Sequence, residues 1–261
     1  MPRAYLDANA TEPLRPAACA AMLAAFDLGG NPSSVHADGR AARRIVEDAR
    51  EALAARFGAR PADTVFVSGG TEADALAVHA LGQGRRIVVG ATEHDAVRAA
   101  ARGAETLPVD GDGVADLDAL SRMLAAGSPA LVFLMAANNE TGTIQPIAAA
   151  AEICRRHGAL LHVDAVQAAG RLPDIRLDRF GAHAMAVSSH KLGGPPGVGA
   201  LLLAPDAPHV PALIAGGGQE RGRRGGTLAA PLIAGFAAAA AEPAGDTAAL
   251  RDRAERAALS H

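Results

Sequence analysis

One lysine in this sequence stands among residues suited to chemistry. It is Lys191, in Ser188-Ser189-His190-Lys191-Leu192-Gly193-Gly194-Pro195-Pro196-Gly197. The chain is much richer in Arg than in Lys. Two hydroxyls and an imidazole precede this lysine, and a flexible Gly/Pro run follows it. A lysine amine forms a Schiff base with an aldehyde when its surroundings favour the neutral form. Pyridoxal phosphate (PLP) is held on a lysine in that way, with an acidic side chain on its ring nitrogen and hydroxyls on its phosphate.

Other segments supply candidate parts in a consistent order. Val65 to Ser68 reads as a short buried strand, and Gly69-Gly70-Thr71 opens an alanine-rich helix. Glycines at a helix start let the backbone approach an anion, which the free N–H groups then bind. An ordinary N-cap after a strand gives the same pattern. Ile87 to Gly90 is a second strand, followed by Thr92-Glu93-His94. His94 is either a loop histidine or a flat ring placed to stack on a cofactor. Leu131 to Met135 is a third strand, leading to Asn138-Asn139-Glu140-Thr141-Gly142. The paired asparagines are turn formers or donors to a phenolic or carboxylate oxygen. Leu160 to Asp164 is an apolar strand ending in a charge that is costly unless paired. That carboxylate is an N-cap, an ion-pair partner, or the group facing a pyridinium nitrogen. Gln167 follows within reach of the same ring. Met185 to Ser189 is the strand that delivers His190 and Lys191.

These strands alternate with helical stretches, which predicts parallel βαβ units. The expected fold is α/β, a mostly parallel sheet with helices on both faces. Turns fall at Pro61-Ala62-Asp63 and Asp110-Gly111-Asp112-Gly113, and Asp116 to Ala126 is a short helix pattern. Ala229 to Ala241 is apolar but too short to span a bilayer, and reads as a buried helix.

The ordered set of motifs resembles the cysteine desulfurases, PLP enzymes of the class V aminotransferase group. The segments that carry the resemblance run from Tyr5-Leu6-Asp7-Ala8-Asn9-Ala10-Thr11 and Gly30-Asn31-Pro32-Ser33-Ser34-Val35-His36 through the motifs above to Gly216-Gly217-Gly218-Gln219-Glu220-Arg221-Gly222-Arg223-Arg224-Gly225-Gly226-Thr227. The resemblance implies the large domain of an aspartate aminotransferase-like fold and a role for each matching position. Lys191 carries PLP, His94 stacks over the ring, Asp164 pairs with the ring nitrogen and Gln167 with the phenolic oxygen. Asn139 lies near that oxygen and the substrate carboxylate. Gly70, Thr71, Ser188 and His190 hold the phosphate, and Thr227 reaches the phosphate of a neighbouring subunit in a homodimer. The implied substrate is L-cysteine, converted to L-alanine with sulfur passed to an acceptor or scaffold protein, as in iron–sulfur cluster assembly. Another class V enzyme, such as a selenocysteine lyase or an aminotransferase, or a non-catalytic PLP-binding remnant, is the alternative.

The sequence departs from the resembled pattern at Gly70 (usually Ala, a change expected to be tolerated), Glu12 (often Thr) and Pro196 (often Lys). The resemblance also implies a smaller C-terminal domain with the sulfur-accepting cysteine, which this sequence lacks. The expected organisation is therefore a PLP-binding large domain over 1–243, with an N-terminal arm over about 1–30, and the start of a bridging helix over 244–261. The two cysteines, Cys19 and Cys154, both read as buried helix residues. The 261-residue chain is therefore expected to bind PLP yet show little or no cysteine desulfurase activity.

Composition bounds the remaining possibilities. Hydrophobic residues make up 49% of the chain, enough for a large core. Aromatics are 3% with no Trp, and the net charge is −3, so base stacking and a polyanion partner are both poorly supported. Two irregularly spaced cysteines exclude a disulfide scaffold and a multi-cysteine metal site, and suit a reducing cytoplasm. No basic-then-apolar leader and no membrane-length apolar run is visible.

Overall fold

The computed structural model describes residues 5–127, 129–242 and 248–260. Among them, seven strands form one sheet: β1 Thr64–Val67, β2 Arg86–Gly90, β3 Glu105–Leu107, β4 Ala130–Phe133, β5 Leu160–Asp164, β6 Ala184–Ser188 and β7 Gly199–Leu203. Their order across the sheet is β1-β7-β6-β5-β4-β2-β3. All pairings are parallel except those of β7, which runs antiparallel to both β6 and β1. The helices are α1 Pro16–Leu28, α2 Ala37–Phe57, α3 Gly70–Leu81, α4 Asp95–Ala100, α5 Leu117–Leu124, α6 Ile147–Arg156, α7 Leu177–Phe180, α8 Ala230–Ala241 and α9 Ala248–Leu259.

The strands read as continuous apolar runs because both faces of the sheet are covered. Alternate residues go to opposite cores. Phe66, Val132, Leu161, Val163 and Val187 pack on the side of α1, α2, α5, α6 and α8. Val65, Val67, Phe133 and Ala186 pack on the side of α3. On β5 this alternation leaves His162 and Asp164 on the α3 side.

The free edge of β1 is covered by polar side chains rather than by another strand, which blocks edge-to-edge association. Arg50 of α2 donates to Thr64 O (2.7 Å), Glu220 accepts from Phe66 N (2.7 Å), and Glu72 accepts from Ser68 N (2.7 Å). Arg50 and Glu220 form a bidentate pair at 2.8 and 2.6 Å, with side chains 4% and 1% exposed. Glu220 and Arg221 sit at φ 48° and 57°, left-handed conformations that non-glycine residues adopt only when surrounding contacts hold them. Glu220→Ala should therefore leave the buried Arg50 with only the half-exposed Glu47 as its ion-pair partner (3.2 Å), deprive Phe66 N of its acceptor, and cost about 3 kcal/mol. Thermal melting would register this as a fall of roughly 10 °C. Arg50→Met with Glu220→Leu should restore part of the loss, because no buried charge then remains although Phe66 N and Thr64 O lose their partners.

One burial expectation is corrected. Cys154 is buried in α6, but Cys19 is exposed. Helix α1 buries Ala18 and Ala25, and residue 19 stands about 100° round the helix from residue 18, off that stripe. A helix whose one charged residue is Asp27, near its end, gives no polar face from which to read this in the sequence. Helix α9 has no buried residue. The expected domain boundary at Pro243 lies outside the described residues, as does the start of the N-terminal arm. Among the described residues no helix is long and apolar enough to cross a membrane.

Candidate active site

A cavity of about 270 Å³ opens beyond the carboxyl ends of the parallel strands, where open α/β sheets bind ligands. Each wall comes from a different strand end. β1 runs into Gly70 and Thr71, β2 leads to His94, and β4 leads to Met135 and Asn139. β5 ends on Asp164 ahead of Val166 and Gln167, and β6 ends on Ser188 ahead of His190 and Lys191. Of the ten residues selected from the sequence, only Thr227 lies elsewhere, exposed in the loop before α8.

The local chemistry explains each placement. Helix α3 begins at Gly70 after Gly69, and no side chain caps it, so its first N–H groups face the cavity uncapped. A Cβ on residue 70 would come within 2.6 Å of Val166 Cγ2, so the branched side chain at 166 requires glycine here. Glycine in place of the usual Ala, the change expected to be tolerated, leaves this valine its room. Ser188 Oγ is buried and has no partner among the described residues. His94 caps α4, its Nδ1 accepting from Ala96 N (3.1 Å).

The amine and the carboxylate lie on opposite sides of a charge balance. Burial lowers the pKa of Lys191, with Arg171 adding to the effect, against Asp164 and Asp7, which raise it. Asp164 is 6% exposed. Burial and then Asp74 push its pKa up to about 7, while the Val166 N–H (2.9 Å), His162 and His94 pull the other way. Its Oδ1 caps the turn, as one sequence reading allowed, and its second oxygen is left for the cavity.

Sequence reasoning gave no role to the arm that crosses this cavity. Asn9 O accepts from Lys191 Nζ (2.5 Å) and from Gln167 Nε2 (3.1 Å), while Asn9 Nδ2 donates to Asn139 O (3.1 Å). Thr11 Oγ1 lies 3.1 Å from His190 Nδ1, and Arg171 donates to Ala8 O (2.9 Å). The segment's lack of apolar periodicity concealed these contacts, which are set by long-range packing. Also missed were three buried groups below the cavity, Asp74, Glu93 and His162. For Asp74 a signal existed: a carboxylate interrupts the stripe Gly70, Ala73, Ala77, Leu81 of α3.

A wider groove, about 550 Å³, lies around Gly58, Gly181 and Ala204. Its arginines are already engaged: Arg60 with Asp63, Arg155 with Glu152 and Arg176 with Asp178. The smaller cavity alone combines an amine, a carboxylate and a bare helix start.

Known proteins match this chain over most of its length. The family described as Aminotransferase class-V matches residues 4–254. An IscS-like cysteine desulfurase of Mycobacterium tuberculosis is 43% identical over 254 residues, which cover 91% of this chain and 64% of that protein. A cysteine desulfurase of Cereibacter sphaeroides is 45% identical over 253 residues, 92% of this chain and 65% of that one. The solved structure of a NifS-like protein from Rickettsia africae superposes with a TM-score of 0.92 at 32% identity, covering 98% of this chain and 75% of that one. The chain thus spans less than two thirds of the length of these two curated relatives.

Proposed function

The chain belongs to the aminotransferase class-V family, and from that premise we propose that its cavity is the PLP site of a cysteine desulfurase, acting on L-cysteine. The observation that carries this reading is one cavity lined by the Lys191 amine, the Asp164 carboxylate and the uncapped start of α3. The residues fit the cofactor. A phosphate would satisfy the orphaned Ser188 hydroxyl and the free N–H groups at Gly70 and Thr71. A protonated ring nitrogen would pair with the buried Asp164.

In this proposal Lys191 holds PLP, and Gly70, Thr71, Ser188 and His190 bind its phosphate. Asp164 orients the ring through its nitrogen, Gln167 and Asn139 serve the phenolic oxygen, and His94 covers the ring and excludes water. PLP, when bound, supplies an electron sink for the bond broken at the substrate's α-carbon. The Lys191 amine, its proton affinity lowered by burial and Arg171, is suited to move a proton at Nζ. The proposal includes a homodimer, supported by the exposed Thr227 and by Leu23, Phe26 and Leu28 exposed on α1. It also includes a cytoplasmic location and an acceptor protein of iron–sulfur assembly.

Sulfur transfer needs an accessible thiolate. Burial pushes the Cys154 thiol up to about 12, and neither cysteine lines the cavity. With PLP and L-cysteine, the 261-residue chain should therefore turn yellow yet release alanine and sulfide slowly. Its Cys19→Ser and Cys154→Ser variants should match it. A chain extended to the relatives' length should be faster by orders of magnitude. Absence of PLP uptake would overturn the reading. A keto acid product would instead mark an aminotransferase. Robust turnover that vanishes in either serine variant would make that cysteine the acceptor.

A further inference from the structure

Among the described residues, four tether positions 8 and 9 of the arm, and three of these line the cavity. Gln167 Nε2 and Lys191 Nζ donate to Asn9 O, and Asn9 Nδ2 donates to Asn139 O. The fourth is Arg171, which is not a lining residue. Its Nη2 donates to Ala8 O (2.9 Å) and lies 3.5 Å from Glu12 Oε2. A tight turn delivers it there. Gly170 sits at φ 77°, and a Cβ on it would come within 2.6 Å of Leu192 Cβ. The turn after β5 is thus packed directly on the segment that carries Lys191. Stability does not account for this arginine. Its Nη1 is buried with no partner among the described residues, an unmet donor that costs free energy. Its ion pair with Glu12 is long and partly exposed, and such a pair contributes little.

We propose that Arg171 is a positioning residue for Lys191, acting through the arm: by holding Ala8 O it sets the place of Asn9 O, and Asn9 O sets the place of Nζ. The role rests on the PLP reading, in which Nζ must meet the cofactor. Ala8 O and Asn9 O belong to consecutive residues and are separated by only the two soft dihedrals of Asn9, so holding the first limits where the second can go. A carbonyl accepts an N–H and offers nothing to a nitrogen lone pair. The neutral amine held by Asn9 O therefore keeps its lone pair turned away from the arm and free to react. Thr11 and Glu12 pin the same arm to the residue before the lysine, through Thr11 Oγ1 beside His190 Nδ1 (3.1 Å) and Glu12 N donating to His190 O (2.9 Å). Beyond residue 11, Arg171 is the tether that the cavity does not need for its own chemistry.

The chain carries one tyrosine, Tyr5, no tryptophan and one lysine, Lys191. The Tyr5 hydroxyl lies 2.9 Å from both Asp7 O and Thr11 O, so its ring moves with the arm. Tyrosine fluorescence anisotropy of the PLP-free protein therefore reads the arm. The lysine is read by its rate of labelling with fluorodinitrobenzene, an uncharged amine reagent, from about pH 8 to about pH 11 with peptide mapping. The midpoint of that profile reports proton affinity, and its plateau reports how open the neutral amine is. The charge of Arg171, after burial, lowers the proton affinity of Lys191 and so bears on the midpoint, but not on the plateau. In Arg171→Met the anisotropy should fall. The plateau should rise about tenfold, the factor carried by one hydrogen bond from a charged donor. Borohydride-trapped PLP on Lys191 should fall several-fold, because an amine that is easier to reach but no longer held is less often in place. A shifted midpoint with plateau and anisotropy unmoved would make Arg171 a neighbouring charge only and overturns the proposal. A plateau that rises without a change in anisotropy, or the reverse, also overturns it, as does undiminished PLP capture. If Arg171→Met does not fold, Arg171→Gln, polar but too short to reach Ala8 O, is judged by the same readouts. A parent that takes up no PLP defeats the functional reading, while the anisotropy and the plateau still judge the hold of Arg171 on the lysine.

Discussion

Borohydride reduction of the protein incubated with PLP is expected to leave a stable adduct on Lys191, and Lys191→Ala is expected to leave none. The sequence makes this test unusually clean, because Lys191 is the only lysine among its 261 residues. The sole competing amine is the chain's α-amino group. The site favours Lys191 because burial and Arg171 lower its proton affinity, so more of it is the neutral nucleophile. The variant should also lose cofactor absorbance on gel filtration and all turnover. Its fold should survive, since the Nζ contact it gives up is a single hydrogen bond to Asn9 O. Peptide mapping by mass spectrometry reads the outcome. An adduct of equal yield in Lys191→Ala would move the cofactor to another amine.

Asp164→Asn should raise the stability of the PLP-free protein while abolishing tight PLP binding. The Asp164 pKa is pushed from about 3.8 in a flexible chain to about 7 by burial and by Asp74. The folded state therefore binds more protons than the unfolded state between those values. Stability from this group is fully present below pH 4, is lost as pH rises toward 7, and stays lost above it. At pH 8 the loss reaches up to about 4 kcal/mol. Asparagine carries no charge to bury and can still accept from Val166 N. Denaturant titrations of the two proteins should thus coincide near pH 4 and separate progressively to pH 7, the variant being the more stable. Equal stability at pH 8 would show that Asp164 is not desolvated as the structure has it.

Much of this site was legible because its chemistry is written in contiguous motifs at strand ends. Ser188 to Lys191, Asp164 to Gln167 and Gly69 to Thr71 each place a functional group directly after an apolar run, and the alternation of strands and helices brings such ends to one edge. What stayed hidden depends on residues distant in sequence. The antiparallel strand β7 is as apolar as its parallel neighbours, so its direction left no trace in composition. The pair Asp74–His162 joins positions 88 residues apart. Arg50 stands in the buried stripe of α2 with Val46, Leu53 and Phe57, a visible anomaly whose partner lies 170 residues away. Cys19 misled because alanine-rich helices carry no polar face to mark the outside.

The position of β1 has a consequence for how the chain is made on the ribosome. Among the described residues β1 pairs with β7 alone, with Val67 opposite Gly199. At about 5–20 residues per second, β7 emerges roughly 10 seconds after β1. During that interval an apolar strand with both edges open, and an Arg50 still awaiting Glu220, are held by α2 and α3 alone. Slowing elongation ahead of residue 199 should therefore increase aggregation of the nascent chain, and chaperones that shield the Thr64–Val67 segment should relieve it.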